Sequence, residues 1–181
     1  MKRVIVTPTA LDGAPLAELK RWLSITTGRD DILLVDLLRS SLNAFEAFTG
    51  LMPLQHLCTE VLPATALTQR AATAPVTMLH EVHEITPTLA KRDLAGDRFT
   101  HEIDADGRLF IRLLSPLANP RIELRMTAGL ADSWTRLDPA LRQGIVRLAA
   151  HQYRERDEGA NEAKPPASVV ALWRPWRAVR L

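Results

Sequence analysis

Cysteine is nearly absent from this chain of 181 residues, in which Cys58 is the only one. A single cysteine excludes an intramolecular disulfide framework and a cysteine-rich zinc site. The sequence also lacks the uninterrupted apolar run of about 18 residues that a transmembrane helix needs. The apolar stretch near its N-terminus is too short for a signal peptide. We therefore expect a soluble protein, made in the cytoplasm, with no membrane partner.

Aromatic side chains are also scarce, at 5 % of the chain, although 46 % of its residues are hydrophobic and 24 % are charged. The last two values are close to globular averages, so we expect a sizeable core filled mostly by leucine, alanine and valine. The length predicts one domain over residues 1–181. The eight glycines are scattered and form neither GxGxxG nor GxxxxGKS/T, so no phosphate-binding loop is expected.

Positive charge is concentrated at the C-terminal end. The chain has 23 Lys+Arg and 21 Asp+Glu, a formal net charge of +2. Residues 173–181 contain three arginines; without them, 20 basic residues would face 21 acidic ones, a net charge of −1. The nearly neutral remainder argues against general affinity for nucleic acid, which requires several clustered cations.

The first 52 residues predict a pair of helices. Apolar residues recur at helical spacing from Leu16 to Leu23, after a proline at the expected helix start. A Thr-Thr-Gly sequence then ends the first helix. Asp30 and Asp31 are expected to cap a second helix, which stops at Gly50.

Residues 54–127 predict β-structure, because the apolar periodicity falls toward two. Two predicted strands, residues 99–103 and 108–114, flank an Asp-Ala-Asp-Gly sequence. Its Asp-Gly pair tolerates positive φ and therefore predicts a hairpin. A further strand at residues 122–126 alternates apolar residues with polar ones such as Glu123, which predicts a polar outer face. We expect a small antiparallel sheet inserted between helices.

A long helix is expected over residues 137–157, with Asp138 as its N-cap and Pro139 as its first residue. After a polar linker, two prolines open a short helix within the C-terminal segment 165–181. The predicted fold class is mainly α with a β insertion. It is an antiparallel helical bundle of about four helices that carries a small antiparallel β-sheet between the second and third helices.

The histidines and the cysteine form no convincing catalytic or metal site. His80 and His83 are three apart in a predicted strand, whereas a zinc-binding helix places two histidines four apart on one face. Cys58 is expected to be a small, half-buried hydrophobe. The alternative is a hydrolase with a Cys58–His pair assembled by the fold, which predicts sensitivity to thiol reagents. The other histidines are expected at the surface or its boundary: His56, His101 and His151.

The acidic pairs have structural explanations that we prefer to acid/base catalysis. Asp30 and Asp31 are assigned to a helix start, and Asp104 and Asp106 to a turn. The mixed charges of residues 147–156 predict either a solvated, salt-bridged helix end or a contact between subunits. We expect no enzyme activity, no metal and no cofactor.

The C-terminal peptide combines tryptophan and arginine, which are favoured as interface anchors. We predict that it fills a pocket of a partner protein. The alternatives are a frayed tail, a tail packed back on its own bundle, or a small DNA-binding or regulatory protein that places these arginines on phosphates. The predicted partner-binding residues are Trp173, Arg174, Trp176, Arg177, Val179, Arg180 and Leu181.

Six stretches of the chain carry a family resemblance. They are LAELKRWL (16–23), DDILL (30–34), FEAFTG (45–50), IELRMTAG (122–129), LDPALRQGIVRLAAHQYRER (137–156) and the PP…LWRPWR pattern (165–177). In this order they resemble the head–tail connector (adaptor) family of tailed bacteriophages and gene transfer agents. That family has no catalytic residues to carry over.

The resemblance implies a structural protein in the neck of a phage or gene transfer agent particle. It implies a homo-oligomeric ring of about twelve subunits with head-to-tail contacts, under the portal protein. The ring would extend the DNA channel, without sequence-specific DNA binding, and receive the head–tail stopper or another neck protein. The C-terminal peptide would insert into the portal, with Trp173 and Trp176 as apolar anchors and its arginines paired with acidic groups.

Overall fold

The computed structural model describes residues 3–7, 10–65, 67–155 and 165–177. The chain divides into two compact units. We call Met1–Pro8 with Gln55–Leu130 the β unit, and Thr9–Leu54 with Ala131–Leu181 the helical unit. No helix in the described ranges is long and apolar enough to cross a membrane.

The described part of the helical unit contains the helices α1 (Ala14–Leu23), α2 (Asp31–Thr49), α3 (Pro139–Glu155) and α4 (Ala167–Trp173). Both α2 and α4 pack on α3. Helix α1 ends earlier than the Thr-Thr-Gly sequence predicted, because Ser24 takes the left-handed conformation with φ of 59°. There its N–H bonds the carbonyl of Arg21, which closes the last turn.

The N-cap predictions had different outcomes at two helices. The prediction for α3 is confirmed, since Asp138 Oδ1 accepts a hydrogen bond from Ala140 N at 2.8 Å. At α2 the predicted position is confirmed, since Asp30 is the N-cap residue and Asp31 the first helical residue, but the capping bond is absent: Asp30 accepts the hydroxyl of Tyr153 at 2.6 Å instead. Asp31 pairs with Lys20 Nζ at 2.6 Å. Both carboxylates at the start of α2 therefore hold neighbouring helices.

The β unit consists of two antiparallel sheets in its described residues. The first has five strands in the order β1-β2-β8-β4-β5, and the second has three in the order β3-β7-β6. The strands are β1 (Arg3–Ile5), β2 (His56–Pro63), β3 (Gln69–Arg70), β4 (Val76–Ile85), β5 (Lys91–Asp93), β6 (Phe99–Ile103), β7 (Leu109–Leu113) and β8 (Arg121–Ala128).

The predicted hairpin is present as β6 and β7. Asp104 Oδ1 accepts bonds from the backbone N–H groups of Asp106 at 3.0 Å and Arg108 at 2.8 Å. Gly107 has φ of 72°, and a Cβ added there would lie 2.9 Å from Pro75 Cα. Glycine is thus required twice at this turn, for its conformation and for space.

The predicted fold class, a mainly helical bundle carrying a small sheet, is wrong. Of the described residues, 38 % are helical, 3₁₀ turns included, and 28 % are in strands, with sheets of five and three strands. The prediction underestimated the sheet because β1 pairs with β2 across more than fifty residues of sequence. In addition, β3 and β5 are too short and polar to show a period of two.

The predicted polar outer face of β8 is also wrong at Glu123. Strand β8 lies between β2 and β4 in the middle of the five-stranded sheet, and Glu123 is buried. Its Oε1 pairs with Lys91 Nζ at 2.6 Å. The central strand buries a carboxylate because the edge strand β5 supplies its counter-ion.

Candidate functional site

The C-terminal segment begins with α4 and continues as a 3₁₀ turn, Arg174–Trp176. Pro166 starts the helix, because its carbonyl accepts bonds from Val169 N and Val170 N. Only two α4 side chains are buried, Val169 and Trp173. The predicted partner-binding residues other than Trp173 therefore follow a short helix that is fixed to the helical unit at two points.

Trp173 lies inside the helical unit, with none of its surface exposed. Its ring meets that of Phe45 edge to face, with the centroids 5.3 Å apart, and lies 6.2 Å from that of Phe48. An edge-to-face pair adds about 0.5–1.5 kcal/mol to the free energy of area burial. Trp173 thus packs on its own bundle, one of the alternatives left open by the sequence.

Gly144 of α3 forms the remaining wall around this indole. A Cβ added at Gly144 would overlap Trp173 Nε1 and lie 2.9 Å from its Cδ1. Nε1 is buried and has no hydrogen-bond acceptor among the described residues. We call the space over Gly144, bounded by Phe45 and Phe48, the Gly144 slot.

The residues after Trp173 reach the surface. Arg174 is exposed, Trp176 is half-buried and Arg177 is exposed. The guanidinium of Arg177 lies 5.3 Å from the centre of the Phe48 ring. Two basic groups and one indole are therefore presented beside the slot. The other predicted residues, Val179, Arg180 and Leu181, lie outside the described residues.

The mixed-charge end of α3 forms local contacts. His151 Nε2 lies 3.0 Å from Glu155 Oε1, one helical turn away. The guanidinium of Arg147 lies 5.5 Å from the centre of the Trp22 ring. Arg154 is exposed. Arg147 and His151 therefore stabilise the helical unit, while Arg154 offers an exposed basic position for comparison.

The two histidines of β4, His80 and His83, contact different residues. His80 Nε2 contacts Thr127 Oγ1 at 2.8 Å, and His83 Nε2 contacts Asp93 Oδ1 at 3.0 Å. Across the described ranges, no cluster of three or more His, Cys, Asp or Glu side chains could hold a metal.

Cys58 is fully buried, which corrects the expectation of a half-buried side chain. Its Sγ lies 3.6 Å from the carbonyl oxygen of Met126 on the neighbouring strand. A nucleophile needs an accessible sulfur, so this position favours a packing role. His56 bonds the carbonyl oxygen of Thr7 at 3.1 Å, and His101 is exposed beside Phe99.

Charge is balanced within both units. In the described residues the β unit has nine Lys+Arg and nine Asp+Glu, and the helical unit has ten and nine. Nucleic-acid-binding domains concentrate an excess of cations on one face. Neither unit shows such an excess in its described residues.

No protein-family model matches the sequence, and no curated protein sequence matches it. Similar chains occur in solved structures, among them three particle assemblies. One is the neck of an empty gene transfer agent (GTA) particle computed with C6 symmetry, at 28 % identity and a TM-score of 0.82. The others are the virion of a native GTA particle, at 27 % and 0.79, and the neck of a native GTA particle computed with C12 symmetry, at 27 % and 0.78. Each match covers 100 % of this chain and 97 % of the other.

Proposed function

We propose that this protein is a structural component of the neck of a gene transfer agent or related particle. The observation that carries the proposal is the match over 100 % of the chain at a TM-score near 0.8, together with 27–28 % identity. Because both units are included, the likeness extends beyond a shared folding motif. It supports a particle component over an enzyme.

The finer proposal is that the protein is the head–tail adaptor. In this role it forms a ring below the portal, extends the DNA channel and receives the next neck protein. The C6 and C12 symmetries of the similar necks support a closed ring. A ring needs two different complementary surfaces on each subunit, because its contacts are head-to-tail.

The portal-binding element is the segment that follows Trp173. Arg174, Trp176 and Arg177 supply cationic and aromatic groups of the kind that dominate protein interfaces. In the sequence Val179, Arg180 and Leu181 extend this element. We assign Trp173 a different part in the same interaction, since its ring is buried in its own bundle. It anchors the segment, and the following side chains contact acidic groups of the portal.

A truncation tests this element. A cut after Pro166 would remove Trp173 from the core, so the cut is placed after Trp173. We expect the shortened chain to remain folded and to lose portal affinity by about tenfold or more, which corresponds to about 1.4 kcal/mol. The measurement is co-purification with the portal protein, followed by electron microscopy of the complex to determine its symmetry.

A matched pair of variants separates this contact from general charge. The double variant R174Q/R177Q should weaken portal binding, whereas R29Q/R154Q, which removes two exposed arginines elsewhere in the helical unit, should not. Equal losses in both variants would assign the effect to net charge. Full binding by the truncated chain would exclude the segment as the docking element. A complex without a ring would exclude the adaptor role.

The alternative is a small DNA-binding or regulatory protein that uses the C-terminal arginines. Binding to duplex DNA should then be measurable without the portal, and its affinity should fall steeply as salt increases. The balanced charge of both units favours the neck component.

A further inference from the structure

We propose that Gly144 is a positioning residue for partner binding: it forms the slot that fixes Trp173 and so sets the direction of the exposed residues that follow. The proposal concerns how the helical unit holds its C-terminal segment. Its second half, that this direction matters for the portal, rests on the proposed function.

The backbone at position 144 does not require glycine. Gly144 lies within α3 and has an ordinary helical conformation, in which alanine is more favourable. Space is what requires it, because any Cβ at this position would overlap Trp173 Nε1. A residue that weakens the helix is therefore explained by the indole packed against it.

The slot fixes the indole on more than one side. Phe45 meets its ring edge to face, and Phe48 contacts it at a tilt. Phe48 also lies under the guanidinium of Arg177. The same aromatic side chain thus contacts the segment at Trp173 and again four residues later.

The backbone between these two contacts is short and closed. Arg174–Trp176 form a single 3₁₀ turn, and Arg177 N bonds the carbonyl oxygen of Arg174 at 3.1 Å. A turn held at both ends has little freedom to reorient. The position of Trp173 in the slot therefore determines where Arg174 and Trp176 face.

A competing arrangement would release Trp173 as an anchor for the partner. Release would expose one of the largest fully buried side chains of the protein and leave the slot empty. It would also break the contacts with Phe45 and Phe48. Nε1 is buried and has no acceptor in the part of the chain that the structure describes, which indicates that the ring is held by its shape. The structure therefore favours a fixed Trp173.

Hydrogen exchange of the full-length chain tests the slot without any partner. The variant G144A should increase exchange in the segment 167–177 by about tenfold or more, because the added methyl group displaces Trp173. Exchange in α1 should stay unchanged. The control Q143A, on the adjacent residue of α3, should leave the segment protected. Unchanged exchange in G144A would show that Gly144 does not fix Trp173 and would overturn the proposal.

A double variant tests whether the effect comes from the indole. In a W173L background the atoms Nε1 and Cε2 are missing, so G144A should change exchange by less than about twofold. If G144A increases exchange in the W173L background as much as it does in the wild type, the added methyl group does not act through the indole of Trp173. That result would overturn the proposal.

Portal binding tests the second half. G144A should lower affinity by about tenfold while Q143A binds normally. Increased exchange with normal binding would overturn the positioning role. If the wild-type protein itself does not bind the portal, both the proposed function and this second half of the proposal are wrong. The exchange measurement alone then tests whether Gly144 fixes Trp173.

Discussion

The β unit and the helical unit each contain buried polar groups, and two sets of them differ in their hydrogen bonding. In the β unit, the carboxylate of Glu60 has no exposed surface and accepts three hydrogen bonds. In the helical unit, Ser41 Oγ and Trp173 Nε1 are buried without partners among the described residues. At these positions, hydrogen bonds fix the chain in the β unit, whereas the fit of the side chains fixes it in the helical unit.

The difference follows from where backbone groups find partners. Helices bond their own N–H groups, so a packed helical interior depends mainly on the fit of its side chains. In the β unit, the chain leaves β3 before Ala72 and Thr73, whose N–H groups face no neighbouring strand. Glu60 accepts both, at 2.8 and 3.0 Å, and the Thr73 hydroxyl at 2.7 Å. A buried carboxylate thus replaces a missing strand.

The largest expected effect compares Glu60 with Ser41. Glu60→Ala should lower the free energy of unfolding by about 4 kcal/mol, because it leaves three donors without an acceptor. Ser41→Ala removes a group that has no partner within the described ranges, and it should change stability by less than about 0.5 kcal/mol. Urea unfolding followed by far-UV circular dichroism measures both. Similar losses in the two variants would remove the distinction between the units.

Tryptophan fluorescence sharpens this comparison. All four tryptophans belong to the helical unit: Trp22, Trp134, Trp173 and Trp176. Fluorescence in the Glu60→Ala variant therefore reports whether the helical unit keeps its structure when the β unit is weakened.

The second effect compares two glycines with positive φ, one in each unit. Gly107→Ala should cost about 3 kcal/mol, since the left-handed conformation is unfavourable for alanine and the new Cβ also meets Pro75. Gly50 ends α2 with φ of 78°, but no heavy atom of the described residues lies within 4 Å of its Cβ position. Gly50→Ala should cost only about 1 kcal/mol. Thermal unfolding of both variants measures which one loses more stability. A larger loss in Gly50→Ala than in Gly107→Ala would contradict this prediction.

Local features of this fold could be predicted from the sequence. The N-cap at Asp138 and the hairpin turn at 104–107 each depend on residues within a few positions of one another. Long-range features could not. The pairing of β1 with β2, the counter-ion that Lys91 provides for Glu123, and the five-stranded sheet all join distant segments.

The candidate site shows the same limit. Composition alone singled out the tryptophans and arginines of the C-terminal segment. It could not separate Trp173 from Trp176, because the burial of Trp173 depends on Gly144 and Phe45, which lie 29 and 128 positions earlier in the sequence. A glycine inside a helix that otherwise favours longer side chains is the one signal that could have indicated a close contact.

The smallest expected effect compares a helix cap with a surface ion pair. Asp138→Ala removes the N-cap of α3 and should cost about 1 kcal/mol. Arg125→Ala in the β unit removes a pair with Glu81 at 3.1 Å, in which both side chains are over 40 % exposed. Its loss should stay below about 0.5 kcal/mol, because water screens the charges. Urea unfolding with and without 1 M salt distinguishes the two variants, since salt should reduce the loss of stability in Arg125→Ala more than that in Asp138→Ala. A larger loss at Arg125 would mean that the β unit depends on charge at its surface as well as in its interior.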